Sequence, residues 1–159
     1  MTKRTIWGAG AFLGAVLSVT IHTAMSSPQK AGAQTVANAV VQHLEKEAVE
    51  KYPWGEIRWM MSGKIDAGSA QTFGIVEIKA GQKNALHSHP NCEEILYVLS
   101  GSCEHLIGDK KVTLRAGDLI RVPVGVKHQA TAVGNQPLRA VISYSSGDRQ
   151  VTYYGPSVE

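Results

Sequence analysis

Four of the six histidines of this 159-residue chain fall between positions 87 and 128. In His87-Ser88-His89 two imidazoles stand two residues apart. Extended backbone points residues at that spacing to one face, so one short segment can present two ring nitrogens to a single ion. Glu94 follows and opens the apolar run Ile95-Leu96-Tyr97-Val98-Leu99. A carboxylate at the head of an apolar strand points inward only if its charge is compensated, and a divalent cation does that. His128 begins another strand-like run after the turn Pro123-Val124-Gly125. Three neutral imidazoles and one carboxylate make a donor set that suits Mn, Fe, Ni, Cu or Zn more than Ca or Mg. Taken singly, each residue has a plainer reading. A His-x-His pair is common on surfaces, Glu93-Glu94 can be two solvated acids, and His128 can be a hydrogen-bonded loop histidine. Only the four together, His87, His89, Glu94 and His128, point to a metal centre.

The elements that would position these side chains read as strands. Runs rich in β-branched and aromatic residues cover Ile57 to Ser62, Thr72 to Lys79, Glu94 to Leu99, Cys103 to Ile107, Lys111 to Leu114, Leu119 to Val122, His128 to Val133 and Leu138 to Tyr144. Turn signals such as Ala80-Gly81, Ser100-Gly101, Gly108-Asp109 and Gly134-Asn135 separate them. Short strands at this spacing predict an all-β sandwich or barrel over residues 54–159. Residues 34–51 read differently. Val36, Val40, Leu44 and Ala48 recur every four positions, with Ala37 and Val41 widening the stripe. That periodicity predicts an N-terminal helix, packed on the outside of the domain and closed off by Pro53.

The spacing of the chemical residues resembles a known family. Gly81, five residues, His87-Ser88-His89-Pro90, Glu94, six residues and Gly101 match the first cupin motif at its signature positions. Gly117-Asp118, Pro123-Val124-Gly125 and His128 resemble the second motif. The resemblance covers roughly residues 55–145 and implies a double-stranded β-helix, a jelly-roll barrel, holding one divalent transition metal ion. It departs from the family where an asparagine often stands four residues after the histidine of the second motif. Here that position is Ala132, which leaves the ligands intact but changes the support of the neighbouring turn. Glu93 fits a looser form of the first motif, and Glu94 is preferred because only it keeps the six-residue spacing to Gly101.

Further residues are expected to face the barrel interior. If Glu94 points inward, Leu96 and Val98 follow it. A hairpin turning at Ser100-Gly101 would set Val98 opposite Cys103 and Leu96 opposite His105. His105 is then the candidate catalytic residue, for substrate contact or proton transfer. The plainer alternative is a rim histidine bonded to a carbonyl. Cys103 reads as a small buried hydrophobe. Arg121 and Tyr97 either bind a carboxylate or lie on the outer face.

The formal charge of +3 does not signal an anionic polymer as partner. Lys3, Arg4 and Lys30 account for it, and residues 34–159 are balanced. Nothing there resembles an electrostatic footprint for nucleic acid. Lys3-Arg4, the apolar run Ile6 to Ile21 and the small-x-small site Ala31-Gly32-Ala33 predict a signal peptide over residues 1–33, cut before Gln34. The other reading is an uncut membrane anchor through residues 6–21. Either way the chain is expected to be exported, to a periplasm or beyond. Export would expose Cys92 and Cys103 to oxidation, yet the assumed register sets them too far apart to pair, so two free thiols are expected.

Cupins include dioxygenases, oxalate-degrading enzymes, isomerases, lyases and binders without activity, so the resemblance does not fix a reaction. The expectation is a metal-dependent enzyme of oxidoreductase or decarboxylase type acting on a small organic molecule, a carboxylate for preference. The alternative is a non-catalytic, metal-containing binding or sensor protein. A third reading gives the metal a structural role only. Small single-barrel members usually form homodimers, and the resemblance implies one here.

Overall fold

The structure is a computed structural model that describes residues 39–43 and 49–155. Its described part is all-β. The strands are β1 Val49–Tyr52, β2 Gly55–Met61, β3 Thr72–Ile78, β4 His87–Ser88, β5 Glu94–Ser100, β6 Ser102–Ile107, β7 Lys110–Arg115, β8 Leu119–Val122, β9 His128–Ala132, β10 Leu138–Tyr144 and β11 Thr152–Tyr153. They form two antiparallel sheets, ordered β1-β2-β3-β10-β5-β8 and β11-β4-β9-β6-β7. This is the jelly-roll arrangement expected from the sequence.

Alternation decides which side chains fill the space between the sheets. On β10, Leu138, Ala140, Ile142 and Tyr144 are buried while Arg139, Val141 and Ser143 are not. On β5, Glu94, Leu96 and Val98 point inward. Val98, Cys103, Leu138 and Ala140 are wholly enclosed and join Ile78, Leu96 and Ile142 in one core. The residues two apart on each strand thus build the interior.

Three features differ from the sequence reading. First, the expected helix over 34–51 is not found at its described positions. Residues 39–43 have no regular structure and Val49–Tyr52 is a strand; the remaining positions lie outside the described residues. Pro53-Trp54 serves as the two-residue turn of a hairpin that pairs Val49 with Arg58 and Tyr52 with Gly55. Tyr52 stacks on Trp54 with ring centroids 4.7 Å apart. Cross-strand pairing and aromatic packing outweigh the weak helical stripe there.

Second, β5 and β6 do not form a hairpin. β5 pairs with β10 and β8, and β6 pairs with β7 and β9, in the other sheet. Ser100-Gly101 is therefore a corner at which the chain changes sheets. Gly101 has φ of 75°, and a Cβ there would stand 2.3 Å from the Pro137 carbonyl oxygen. Leu96 and His105 share the interior, as expected, but they reach it from opposite sheets. Third, β4 and β11 are two-residue strands, too short to announce themselves in the sequence. The two cysteines are free, as expected, although not for the reason of register, and Cys92 is buried as well as Cys103. Among the described residues no helix is long and apolar enough to cross a membrane. The leader expected over residues 1–33 lies outside the described residues.

Candidate metal centre

His87, His89, Glu94 and His128 come together between the sheets, all buried, with one donor atom from each within 4.8 Å of the others. The sheets contribute unequally. β4 and β9 pair so that His87 stands directly opposite His128, and antiparallel partners point to the same side. His89 follows two residues after His87 and shares its face. Glu94 comes from the other sheet, between Val122 of β8 and Tyr144 of β10. The centre is thus a bridge between the sheets, and neither sheet holds it alone.

Each imidazole is oriented by its outer nitrogen. The Nδ1 atoms of His87, His89 and His128 lie 2.8, 2.7 and 2.9 Å from the carbonyl oxygens of Ala85, Gln150 and Val126. A carbonyl only accepts, so each Nδ1 carries its proton and each Nε2 is left for the interior. Glu94 Oε2 lies 3.0 Å from His128 Nε2 and 3.2 Å from His89 Nε2. His89 Nε2 is buried and has no hydrogen bond of acceptable geometry. A buried nitrogen with no hydrogen-bond partner, aimed at a carboxylate and two other imidazoles, fits a metal ligand. The donor set and its burial fit one divalent transition metal ion.

The electrostatics agree. Burial works against the charge of Glu94, but its interactions with the surrounding imidazoles, His128 above all, outweigh it and hold the carboxyl below its usual range. Burial, reinforced by the neighbouring His128, lowers His87 to about 3, so this imidazole is neutral and able to ligate. His128 is pulled down by burial and pushed up further by its hydrogen bond and charge interaction with Glu94, for a net rise.

His105 lies on β6 opposite Ala130 of β9, whose small side chain leaves it room. Its ring stacks nearly parallel to that of His128, centroids 5.9 Å apart. It is enclosed, its Nδ1 has no hydrogen-bond partner, and burial lowers it to about 4. His105 is thus enclosed and not at the rim, and a backbone hydrogen bond to Leu106 partly opposes the effect of burial. Glu93 turns outward, where its carboxylate accepts a 2.7 Å hydrogen bond from Arg121 Nε. Arg121 and Tyr97 both lie on the outer face. Cys103 is fully buried, and burial raises its thiol to about 11. The turn near Ala132 is supported by backbone bonds, Ala132 N to Gln82 O and Gly81 N to Ala132 O, and by the Ser102 hydroxyl, which donates to the Val133 carbonyl at 3.3 Å.

A cavity of about 570 Å³ adjoins three of the four ligands. His87, Glu94, His105 and His128 line it, together with apolar side chains of both sheets. So do Tyr52, Trp54, Tyr144 and Arg149, none of which was singled out as a site residue from the sequence. Tyr144 was detectable, because the alternation of β10 puts it on the inward face beside Glu94. Arg149 was not, since it comes from an irregular loop that carries no period.

Known proteins bear on this arrangement. Residues 74–144 match the family described as Cupin domain. The tetracenomycin polyketide synthase protein TcmJ of Streptomyces glaucescens is 26% identical over 121 residues, which cover 76% of this chain and 81% of that one. An uncharacterized protein of Methanocaldococcus jannaschii, MJ1618, is 29% identical over 99 residues, 60% of this chain and 79% of its own. Among solved structures, the oxalate decarboxylase of Lactobacillus farciminis in its formate complex superposes with a TM-score of 0.65 at 20% identity, covering 70% of this chain. This chain spans 34% of that one, so the likeness concerns one barrel of a longer protein. The Bacillus subtilis oxalate decarboxylase, which has Mn(II) centres, superposes with a TM-score of 0.64 at 20% identity over 69% of this chain and 30% of its own. At that identity the likeness is one of fold. Sequence motifs, family match and jelly-roll topology agree that residues 74–144 form a domain of the cupin superfamily.

Proposed function

We propose that the protein is a metal-dependent enzyme of oxidoreductase or decarboxylase type, acting on a small organic molecule that bears an acidic group. The observation that carries this reading is His105, an enclosed and neutral imidazole whose ring lines the cavity and stacks on the ligand His128. A bound ion would supply Lewis-acid polarisation of a substrate oxygen or, if redox-active, activation of dioxygen. The chain's own residues do the rest. The apolar walls exclude water and strengthen each polar contact inside. The His105 ring lines the cavity and is the chain's own candidate for contact with a substrate or for proton transfer. Tyr144 stays a neutral phenol, because burial and the nearby Glu94 charge raise its pKa.

Oxalate itself is not the favoured substrate, although the structural neighbours are oxalate decarboxylases. A cavity of 570 Å³ with mostly apolar walls falls in the range that holds drug-sized ligands, far more than a two-carbon diacid needs. The polyketide synthase protein among the relatives supports a larger carbon skeleton.

The test is to purify the full chain, measure its metal content, and screen oxygen uptake and carbon dioxide release over a panel of organic acids. His105→Ala is assayed beside it. Turnover that falls at least ~100-fold in His105→Ala with metal content unchanged supports the reading. Full turnover in His105→Ala removes the role of His105. Tight binding of acids with no turnover by the metal-loaded protein favours the binding-protein alternative.

We also propose export, on the strength of Lys3-Arg4, the apolar run and Ala31-Gly32-Ala33. Sequencing of exported protein should start at Gln34; a retained Met1 in the membrane fraction would indicate the anchor. The exposed outer face of the larger sheet supports a homodimer. Tyr97 there pairs with Leu119 and Val141 on its neighbours, and Ile95 and Leu99 flank it along the strand.

A further inference from the structure

Of the two cationic residues that line the cavity, Lys51 and Arg149, Arg149 stands against aromatic rings. The guanidinium carbon of Arg149 lies 4.6 Å from the Trp59 ring centroid and 5.1 Å from that of Tyr144. Among the described residues no carboxylate pairs with it. A guanidinium held over ring faces keeps its in-plane N–H donors for a planar anion. Arg149 is also held in place by the backbone. Asn91 donates through Nδ2 to the Asp148 carbonyl at 2.6 Å and accepts through Oδ1 from Gln150 N at 3.0 Å. These two bonds bracket Arg149 in the chain. The same loop supplies Gln150 O, the acceptor for His89 Nδ1. One short segment therefore sets both a metal ligand and the cation.

The wall beside this cation is flat and apolar. Tyr52 and Trp54 stack within 7° of parallel and line the cavity with Ile57, Val76 and Ile142. Tyr52 is fixed from outside, its hydroxyl donating to Glu50 at 2.7 Å. Rigid stacked rings present a face suited to another ring, and apolar strand residues add no competing polar group.

We infer that the cavity takes an aromatic carboxylate, with its carboxylate on Arg149 and its ring against Tyr52 and Trp54, so that its far edge lies toward His105 and the metal ligands. This deepens the proposed function by naming a substrate class, and it rests on that reading only in taking this cavity as the substrate site. Arg149 is a specificity residue here, and Asn91 is the residue that positions it.

The probes are 2-naphthoate, neutral 2-naphthamide, cyclohexanecarboxylate and oxalate, titrated calorimetrically into the full chain. The protein is used both as purified and after metal removal by a chelator. 2-Naphthoate should bind at least ~10-fold more tightly than each of the other three, in both preparations. Arg149→Gln should weaken 2-naphthoate at least ~10-fold and leave 2-naphthamide unchanged, with an unaltered melting temperature showing that it folds. Arg149→Lys should restore part of the affinity, because it keeps the charge and loses the fork. Tyr52→Ala should weaken both naphthalene probes and spare cyclohexanecarboxylate. If Arg149→Gln binds 2-naphthoate as well as the parent, or if oxalate binds more tightly than 2-naphthoate, the inference is overturned. Binding needs no turnover, so a protein that binds 2-naphthoate through Arg149 yet catalyses nothing sinks the enzyme reading and keeps this one.

Discussion

Glu93 reaches out to Arg121 while Glu94, the next residue, faces the buried imidazoles. Their sequence context hardly separates them; the six-residue spacing to Gly101 and the strand alternation do. The metal content of Glu93→Ala and Glu94→Ala, measured side by side, should therefore diverge. Glu94→Ala, like His87→Ala, His89→Ala and His128→Ala, should lower metal affinity by more than the ~10–100-fold expected for losing an outer hydrogen-bond partner. Glu93→Ala should leave it within a factor of about two, since an exposed ion pair contributes little. Metal lost from the Glu93 variant and kept by the Glu94 variant would reverse the ligand assignment. Acid sensitivity follows from the imidazoles. His87 and His105 are depressed by burial from 6.5 to about 3 and about 4. Between those values and 6.5 the unfolded chain binds more protons than the folded one, so stability falls as pH falls through that window. His128, raised by Glu94, works the other way and cannot offset two depressed groups. Denaturant melts of chelator-treated protein at pH 7 and pH 5 should show the lower stability at pH 5. Equal stability would mean that His87 and His105 take up protons freely in the fold.

At the scale of the element, the strands marked by β-branched and apolar runs between turn signals were legible and their bounds held closely, as for Leu119–Val122 and Leu138–Tyr144. The two-residue strands β4 and β11 are defined by partners and have no pattern of their own. The β5–β6 corner was misread because a Ser-Gly pair between two apolar runs is equally a hairpin signal. What distinguishes the corner is the Pro137 carbonyl pressed against Gly101, a contact made across the fold. Gly101→Ala and Gly117→Ala therefore differ in a measurable way. Both positions have positive φ, 75° and 93°, but a Cβ at Gly117 meets nothing within 4 Å. Gly117→Ala should cost about 1 kcal/mol from backbone strain alone. Gly101→Ala should cost about 3 kcal/mol or more, because strain and a backbone clash add. Equal melting temperatures for the two variants would refute the corner geometry.

On the scale of the whole molecule, the metal ligands were readable because motif spacing carried them, and the cavity mouth was not, because Tyr52, Trp54 and Arg149 come from a hairpin and a loop far apart in the chain. The apolar outer face leads to an expectation about assembly. Leu119 is 58% exposed and Tyr97 41% exposed, side by side on the larger sheet. Light scattering at micromolar concentration should give twice the chain mass, and Tyr97→Glu with Leu119→Glu should return it to one. A monomer without those changes would leave the face unexplained. The sheet order has a temporal meaning as well. β3 must wait for β10 and β4 for β11, so neither sheet can close until nearly the whole chain has been made. Such a topology folds late and slowly, on the scale of milliseconds to seconds, and gives a partly synthesised chain little to hold it compact. His89 in particular stays unoriented until Gln150 arrives, so the ion can be captured with its full set of oriented ligands only once the chain has been made through Gln150.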